Sequence, residues 1–396
     1  MTLREKWIPS KKANPDWILL LVVVVLIIFG FVNLFSASYG YGLTKFGNGY
    51  YYIQQQLRGL AVGVVLMFFA YRIDYAQLNQ RKTLIAMYII SIVLLICCFI
   101  PGIGTTDGIN AARRWLRVPV FGSFQPSELA KFVLLIVEAG ILSRMKPNAM
   151  KTSWVAAFSP MLIAIPFVFL MYKQPNFSIL MITMISFMVV LFTAGLTWRQ
   201  IVMIFAFGLV VAFLAAWQAE YRQDRITSFR NPFDKANINT GSQLRDSLYA
   251  LGSGGLTGTG LGRSRMKYDF LSYGESDFIL SIIGEELGLR GLLVLMIVYV
   301  LLLWRGYTIA MGATNRFAAF TATGITTLIG MQTFLHVLVG IGLVPTTGVT
   351  LPFVSHGSSS LMCFMGAVGL LLGISCEQRE KVKVKAEKTS TAYAAQ

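Results

Sequence analysis

The chain is poor in the residues on which soluble enzymes and metalloproteins are usually built. Of its 396 residues only 13% are charged, two are histidine and four are cysteine. An ordinary soluble domain carries about 25% charge, so a solvated globular surface is excluded for most of this chain. Cys97, Cys98, Cys363 and Cys376 lie in or at the ends of apolar runs, and none has CxxC spacing. They read as packing residues, not as a disulfide framework or zinc ligands. His336 and His356 are isolated from one another in sequence and read as hydrogen-bonding groups. No metal site and no cofactor are expected, and a need for a divalent cation is not readable at this level. No short internal repeat is visible, nor the matched halves common in transporters.

What the chain has instead is apolar sequence. It is 55% hydrophobic, with a mean hydropathy of +0.64. The profile is that of an all-α polytopic membrane protein. Apolar runs long enough to cross a bilayer fall at about 16–37, 54–71, 83–101, 127–144, 153–172, 177–196, 200–219, 278–304, 317–343 and 358–376, which predicts ten transmembrane helices. The first run is too long for the core of a signal peptide, although Ser36-Ala37-Ser38 imitates a cleavage site. Residues 1–15 form an N-terminal tail and 377–396 a short charged tail expected to be disordered.

Basic residues gather at every second crossing: Arg72, Arg81 and Lys82; Arg144, Lys146 and Lys151; Arg199; Arg305 and Arg316; then Arg379 to Lys388. Both termini are therefore expected in the cytoplasm. The net charge of +16 is accounted for by such anchors, without nucleic acid as a partner. Two outer loops go against the bias. The first, 102–126, holds Arg113, Arg114 and Arg117; the second, about 220–277, holds Arg263, Arg265 and Lys267 among others. An anionic ligand at the outer face would explain cations there, although long loops also cross regardless of charge.

Four stretches carry candidate chemistry. In the first, Gly274-Glu275-Ser276-Asp277-Phe278-Ile279 places Asp277 where the long polar loop meets an apolar helix. Asp277 would share a helix face with Ser281, Gly284 and Gly288, a small-residue stripe on which another helix or a lipid chain could lie. Glu285 and Glu286 point elsewhere, and Glu286 with Arg290 has the spacing of an i, i+4 ion pair. The alternative for Asp277 is a helix N-cap. In the second stretch, Asn110-Ala111-Ala112-Arg113-Arg114-Trp115-Leu116 is followed by Gln125-Pro126-Ser127-Glu128-Leu129-Ala130-Lys131. Adjacent arginines suit a diphosphate, whereas beside Trp115 they also suit an interfacial anchor. Glu128 and Lys131 could line a site or simply satisfy each other, and Glu138 falls near the same face. Burying such groups costs about 2.5–3.5 kcal/mol each at the bilayer centre, so they should face the protein interior. The third stretch, Gly252 to Ser264, is rich in glycine, whose amides could approach phosphate or merely form a flexible re-entrant loop. In the fourth, Val344 to Ser360, Ser355 and Ser359 could bind sugar or phosphate, or could serve as caps.

Together these motifs resemble the SEDS family, the FtsW/RodA/SpoVE group of bacterial membrane glycosyltransferases. The likeness spans the chain and rests on Asn110 to Leu116, Gln125 to Lys131, Asn231-Pro232-Phe233-Asp234, Gly252 to Gly262, Asp277-Phe278-Ile279 with Gly284-Glu285-Glu286-Leu287-Gly288, and Pro345 to Phe353. The resemblance implies ten helices with a large extracellular loop between helices seven and eight. It implies polymerisation of lipid II into a glycan strand, with a class B penicillin-binding protein as partner and other division or elongation proteins nearby. It also implies that Asp277 is the required aspartate. A hydroxyl that attacks a sugar diphosphate needs a base and positive charge at the leaving group; Arg113, Arg114, Lys131 and Lys267 are the candidates for the charge. The chain departs from the family at Asn176, where an acid is usual, at Tyr273-Gly274-Glu275-Ser276, where Glu-x-His-Thr is common, and at His336 and His356, where Asn and Tyr are usual. Gly258 to Ser264 and Thr350 resemble the division and sporulation branches more than the elongation branch. Two other readings stay open at this stage: a lipid II flippase, suggested by Glu138, Glu285 and Glu286, and a non-catalytic scaffold for the transpeptidase.

Overall fold

The computed structural model describes residues 14–107, 112–118, 122–204, 206, 229, 232–233, 242–267 and 274–394. The chain is mostly helical. Among the described residues six helices are long and apolar enough to cross a membrane. They are α1 (Trp17–Phe46), α2 (Tyr51–Arg72), α5 (Trp154–Lys173), α8 (Ile279–Met311), α9 (Arg316–Gly340) and the Ser358–Glu377 part of α10. Between them lie α3 (Arg81–Cys97), α4 (Pro126–Arg144), the shorter apolar α6 (Phe177–Thr193) and α7 (Ser242–Gly254). The seventh expected span, 200–219, lies mostly outside the described residues; those from 198 to 204 are helical.

Local chemistry sets the helix ends. Asp16 caps α1 by accepting from Leu19 N, and Gly47 ends it with a left-handed φ of 66°. Helix α1 runs to Phe46, past the end expected near 37, because residues 38–46 continue as helix after the apolar run stops. Pro126 sits in the first turn of α4, where its missing N–H costs nothing. Helix α4 is buried almost from end to end, as are most of α9 and the first part of α10, so these three form the centre. Helices α1, α2, α5 and the second half of α8 expose Leu, Val, Ile and Phe around this centre, as lipid-facing elements do.

Three expectations are corrected. The class is not purely α: the 102–126 loop forms a three-stranded antiparallel sheet, β1 (Gly104–Asp107), β2 (Ala112–Val118) and β3 (Gly122–Phe124). The charged tail continues as helix to Ala394 instead of being irregular. Part of the second polar loop is the amphipathic helix α7, packed back onto the bundle.

Helix α8 is broken. Gly288 has φ 65° and ψ −169°, a conformation open essentially only to glycine. The break frees backbone groups, and the glycine-rich stretch satisfies them. Thr259 N donates to Glu285 O at 2.9 Å and Gly260 N to Glu286 O at 3.0 Å, while Leu289 N and Arg290 N donate back to Gly255 O and Leu256 O. The approach leaves no room for side chains: a Cβ on Gly258 would lie 2.2 Å from Glu286 O, and one on Gly288 would lie 2.4 Å from Gly258 N. Gly288→Ala is therefore expected to lower stability by about 2–4 kcal/mol, from backbone strain plus overlap. Thermal unfolding of the purified protein in lipid nanodiscs checks this, and Leu287→Ala, outside the left-handed region, serves as the reference.

Candidate active site

Asp277 lies in the turn Gly274–Phe278, just before α8 begins at Ile279. The N-cap position belongs to Phe278, not to Asp277. Asp277 is half-buried, and a Cβ on Gly348 would come within 3.7 Å of its Oδ2. The loop from Val344 to Gly357 therefore faces the carboxylate at Gly348.

The turn is held from several sides. Ser355 Oγ donates to Ser276 O at 2.7 Å, and His356 N donates to Glu275 O at 2.9 Å. Gln56 of α2 donates to Ser355 O at 3.1 Å and accepts from Gly357 N at 3.0 Å. From below, Gln332 donates to Thr350 O at 2.9 Å, and a ring nitrogen of His336 lies 2.8 Å from Val349 O. Gln56, Gln332 and His336 were not foreseen as site-building residues. The signal was available: an amide or imidazole inside an apolar span is costly unless it has a partner.

The small-residue stripe below Asp277 is occupied by α7. Ser281 Oγ and Ser247 Oγ are 2.6 Å apart, and Ser247 also donates to Gly340 O at 2.8 Å. Leu251 and Gly254 of the same helix cover Gly284. A helix from the chain itself, not a lipid, lies there, and Gly288 is not on the helical face at all.

The two glutamates of α8 hold the loop. Glu285 accepts from Ser264 Oγ at 2.5 Å and Arg265 N at 2.8 Å. Glu286 accepts from Ser36 at 2.7 Å and Ser264 N at 3.3 Å. Its ion-pair partner is Lys267 at 2.9 Å, not the expected Arg290, because the break at Gly288 removes the i, i+4 register.

The four proposed cations stand in different surroundings. Lys267 is buried and also donates to Ser36 and to Gly262 O. Lys131 is fully buried, 2.7 Å from both Glu128 and Gln332, with Phe364 beneath it at 4.6 Å. Through Gln332 it supports the loop that faces Asp277. Arg113 and Arg114 are neighbours on strand β2 where its pairing with β1 is irregular: Arg113 lies opposite Thr106, Trp115 opposite Thr105, and Arg114 is left without a partner across the strand pair. Arg114 donates to Gln174 O at 2.8 Å and Pro175 O at 2.6 Å, and the exposed Arg113 donates to Phe99 O at 2.9 Å. As placed, they do not form a two-arginine clamp. Ser359 donates to Ser123 O at 3.3 Å and accepts from Gln125 N at 3.2 Å, joining α10 to the sheet. Ser127 accepts from Asn176 at 3.0 Å, so the amide that replaces the usual acid has a definite partner.

Glu275, two residues before Asp277, is buried. Burial pushes its carboxyl above the usual range, against the neighbouring Tyr52 hydroxyl and Lys45 charge. His356 is pushed down to about 4 by its enclosure and is neutral at physiological pH. Of the two carboxylates in this turn, Glu275 is buried and Asp277 is half-buried and faces the Val344–Gly357 loop at Gly348.

Two measurements test these assignments. Lys267→Met alone leaves Glu286 buried without its cation and is expected to cost about 3–5 kcal/mol. Lys267→Met combined with Glu286→Gln should recover a large part of that loss in a double-mutant unfolding cycle. The Glu275 carboxyl, raised on folding, binds its proton more tightly in the folded state. Its contribution is therefore largest below the unfolded value of about 4.3 and declines as pH rises towards the folded value. Glu275→Gln, which cannot ionise, should gain stability relative to the parent across that window and hold a constant difference above it.

Residues 16–380 match the family model described as Cell cycle protein, FtsW/RodA/SpoVE. The chain is 36% identical over 367 residues to Stage V sporulation protein E of Bacillus subtilis (strain 168), covering 92% of this chain and 98% of that protein. It is 37% identical over 364 residues to the probable peptidoglycan glycosyltransferase FtsW of Geobacter metallireducens, covering 92% and 95%. In three dimensions it is similar to a chain of a solved peptidoglycan synthase complex, with a TM-score of 0.74, 27% identity and coverage of 92% and 98%. It is also similar to the rod shape determining protein RodA of Thermus thermophilus, with a TM-score of 0.66, 26% identity and coverage of 92% and 97%. The chain belongs to the FtsW/RodA/SpoVE family of cell cycle proteins.

Proposed function

We propose that the chain is a peptidoglycan glycosyltransferase of the bacterial cytoplasmic membrane that polymerises lipid II into glycan strands during division. In this reading the chain crosses ten times with both termini in the cytoplasm, which puts the Asp277 turn, the β-sheet and the Val344–Gly357 loop at the outer face, where lipid II is presented. The single observation that carries this reading is Asp277: a half-buried carboxylate just before a broken helix, facing Gly348 of the Val344–Gly357 loop. The relatives' names point the same way, and the synthase complex among its structural neighbours couples polymerization to crosslinking. A class B penicillin-binding protein is the partner this implies.

In the reaction a glycan hydroxyl oxygen attacks the anomeric carbon of the donor sugar. The bond from that carbon to the diphosphate oxygen breaks, and the diphosphate leaves on its lipid with the electron pair. Asp277 takes the hydroxyl proton. The leaving group is already a weak base, so no second carboxylic acid is required, in contrast to glycoside hydrolysis. Among the four cations only Arg113 is well exposed, so it is the first candidate to meet the diphosphate, with Arg114 reachable if its carbonyl contacts are exchanged. Lys131 and Lys267 act as supports. A flippase reading leaned on interior acids, and two of those, Glu285 and Glu286, hold the glycine loop.

Asp277→Ala should retain fold and partner binding yet lose polymerisation by about 100-fold or more, the range for a general base. Gel analysis of lipid II polymerised by the purified chain with its transpeptidase is the check; strands made at the parent rate would contradict the assignment.

A further inference from the structure

The glycine-rich stretch continues past the contacts that close the break in α8. Its next turn runs from Gly260 to Arg263. Arg263 N donates to Gly260 O at 3.0 Å, and Gly262 takes the third position with φ 80°. The two central amides, of Leu261 and Gly262, donate to nothing among the described residues. Leu261, Gly262 and Arg263 are all exposed, and no described acid pairs with Arg263. The acids close by are already engaged, Glu286 by Lys267 and Glu285 by Ser264 and the Arg265 amide.

The turn is continuous with an apolar groove of about 350 Å³. Val25, Ile28, Phe29 and Val32 of α1 line it, with Leu261 of the turn and Leu287 of α8. These α1 residues lie inside an apolar run, so the groove opens to hydrocarbon and not to water. It follows α1 for seven residues, about 10 Å, which is within the depth of one leaflet, about 15 Å. The turn stands where the apolar run ends. Lys267 Nζ donates to Gly262 O at 2.7 Å and to Ser36 Oγ at 3.1 Å, which ties the turn to the level of Ser36. A lone arginine at this level would serve as an anchor. Two uncommitted amides beside it, and a groove that shares Leu261 with the turn, are not needed for anchoring. They are complementary to a lipid phosphate and the chain below it.

The phosphate that would lie here is not the one lost in the proposed reaction. Nine residues of α8 separate Phe278 from Leu287, about 13 Å, whereas the leaving diphosphate is bonded to the carbon beside Asp277.

We propose that the Gly260–Arg263 turn and its groove hold one anionic glycerophospholipid. Its phosphate meets the Leu261 and Gly262 amides and Arg263, and one acyl chain fills the groove between α1, Leu261 and Leu287. The lipid braces the glycine loop against the break in α8. The proposal does not depend on the transferase reading.

The test is titration of dioleoyl phosphatidylglycerol into the purified full chain, read by native mass spectrometry, with dioleoyl phosphatidylcholine as the zwitterionic comparison. The parent should retain one phosphatidylglycerol in preference to phosphatidylcholine. Arg263→Gln should weaken that retention by about fivefold, and Arg263→Lys should keep most of it. Leu261→Trp, which fills the groove, should abolish it. Leu293→Trp, on the exposed second half of α8, should leave it unchanged. In nanodiscs of phosphatidylcholine, added phosphatidylglycerol should raise the unfolding temperature of the parent but not of Arg263→Gln. Equal retention of the two lipids by the parent, parental retention in Arg263→Gln, or equal losses in Leu261→Trp and Leu293→Trp would overturn the site.

Discussion

A helix opened inside a membrane must find partners for its freed backbone groups, and that requirement organises this protein around Gly288. Water is absent at that depth, and each unsatisfied amide or carbonyl costs several kcal/mol. The chain answers by folding part of its long polar loop back onto the break. The loop supplies Thr259 and Gly260 amides to the first half of α8 and takes the amides of the second half in return. Glycine is needed on both sides because the two backbones run almost in contact. Glu285 and Glu286 then fix the remainder of the loop through Ser264, Arg265 and Lys267.

The same constraint positions the candidate base. With α8 divided, its first half is a short rod packed against α7, and Asp277 stands at its free end. The facing loop is tied to α2 by Gln56 and to α9 by Gln332 and His336. Energetics separate the cations. Removing Lys131 or Lys267 from its partner would strand a buried carboxylate at a cost of about 3–5 kcal/mol, so neither is a free reserve of charge for a diphosphate. Arg113 donates to the Phe99 carbonyl, and exchanging a carbonyl for a phosphate oxygen strengthens the bond through charge.

Much of the architecture was legible because hydropathy and helix-end chemistry are local. The apolar runs, Pro126 at the start of α4 and Asp277 at the loop–helix junction all follow from a few neighbouring residues. What escaped was set by distant contacts. The Arg113-Arg114 pair looked like a clamp, but the two side chains are drawn to carbonyls of different segments, Phe99 for one and Gln174 and Pro175 for the other. Glu286 looked like the partner of Arg290, but a single positive φ two residues later broke the spacing on which that reading depended. The stripe of Ser281 and Gly284 did signal a close neighbour, yet only the fold identifies it as α7. The glycine-rich stretch left both phosphate binding and a re-entrant loop open, and the amides of Thr259 and Gly260 serve the backbone of α8.

The most direct measurement of this account is hydrogen–deuterium exchange on the purified chain and its Lys267→Met variant in nanodiscs. If the loop and the helix break support one another, loss of the ion pair should raise exchange together at residues 258–267, at 285–290 and at the Asp277 turn. Faster exchange confined to the residues beside position 267, with the break and the Asp277 turn still protected, would contradict it.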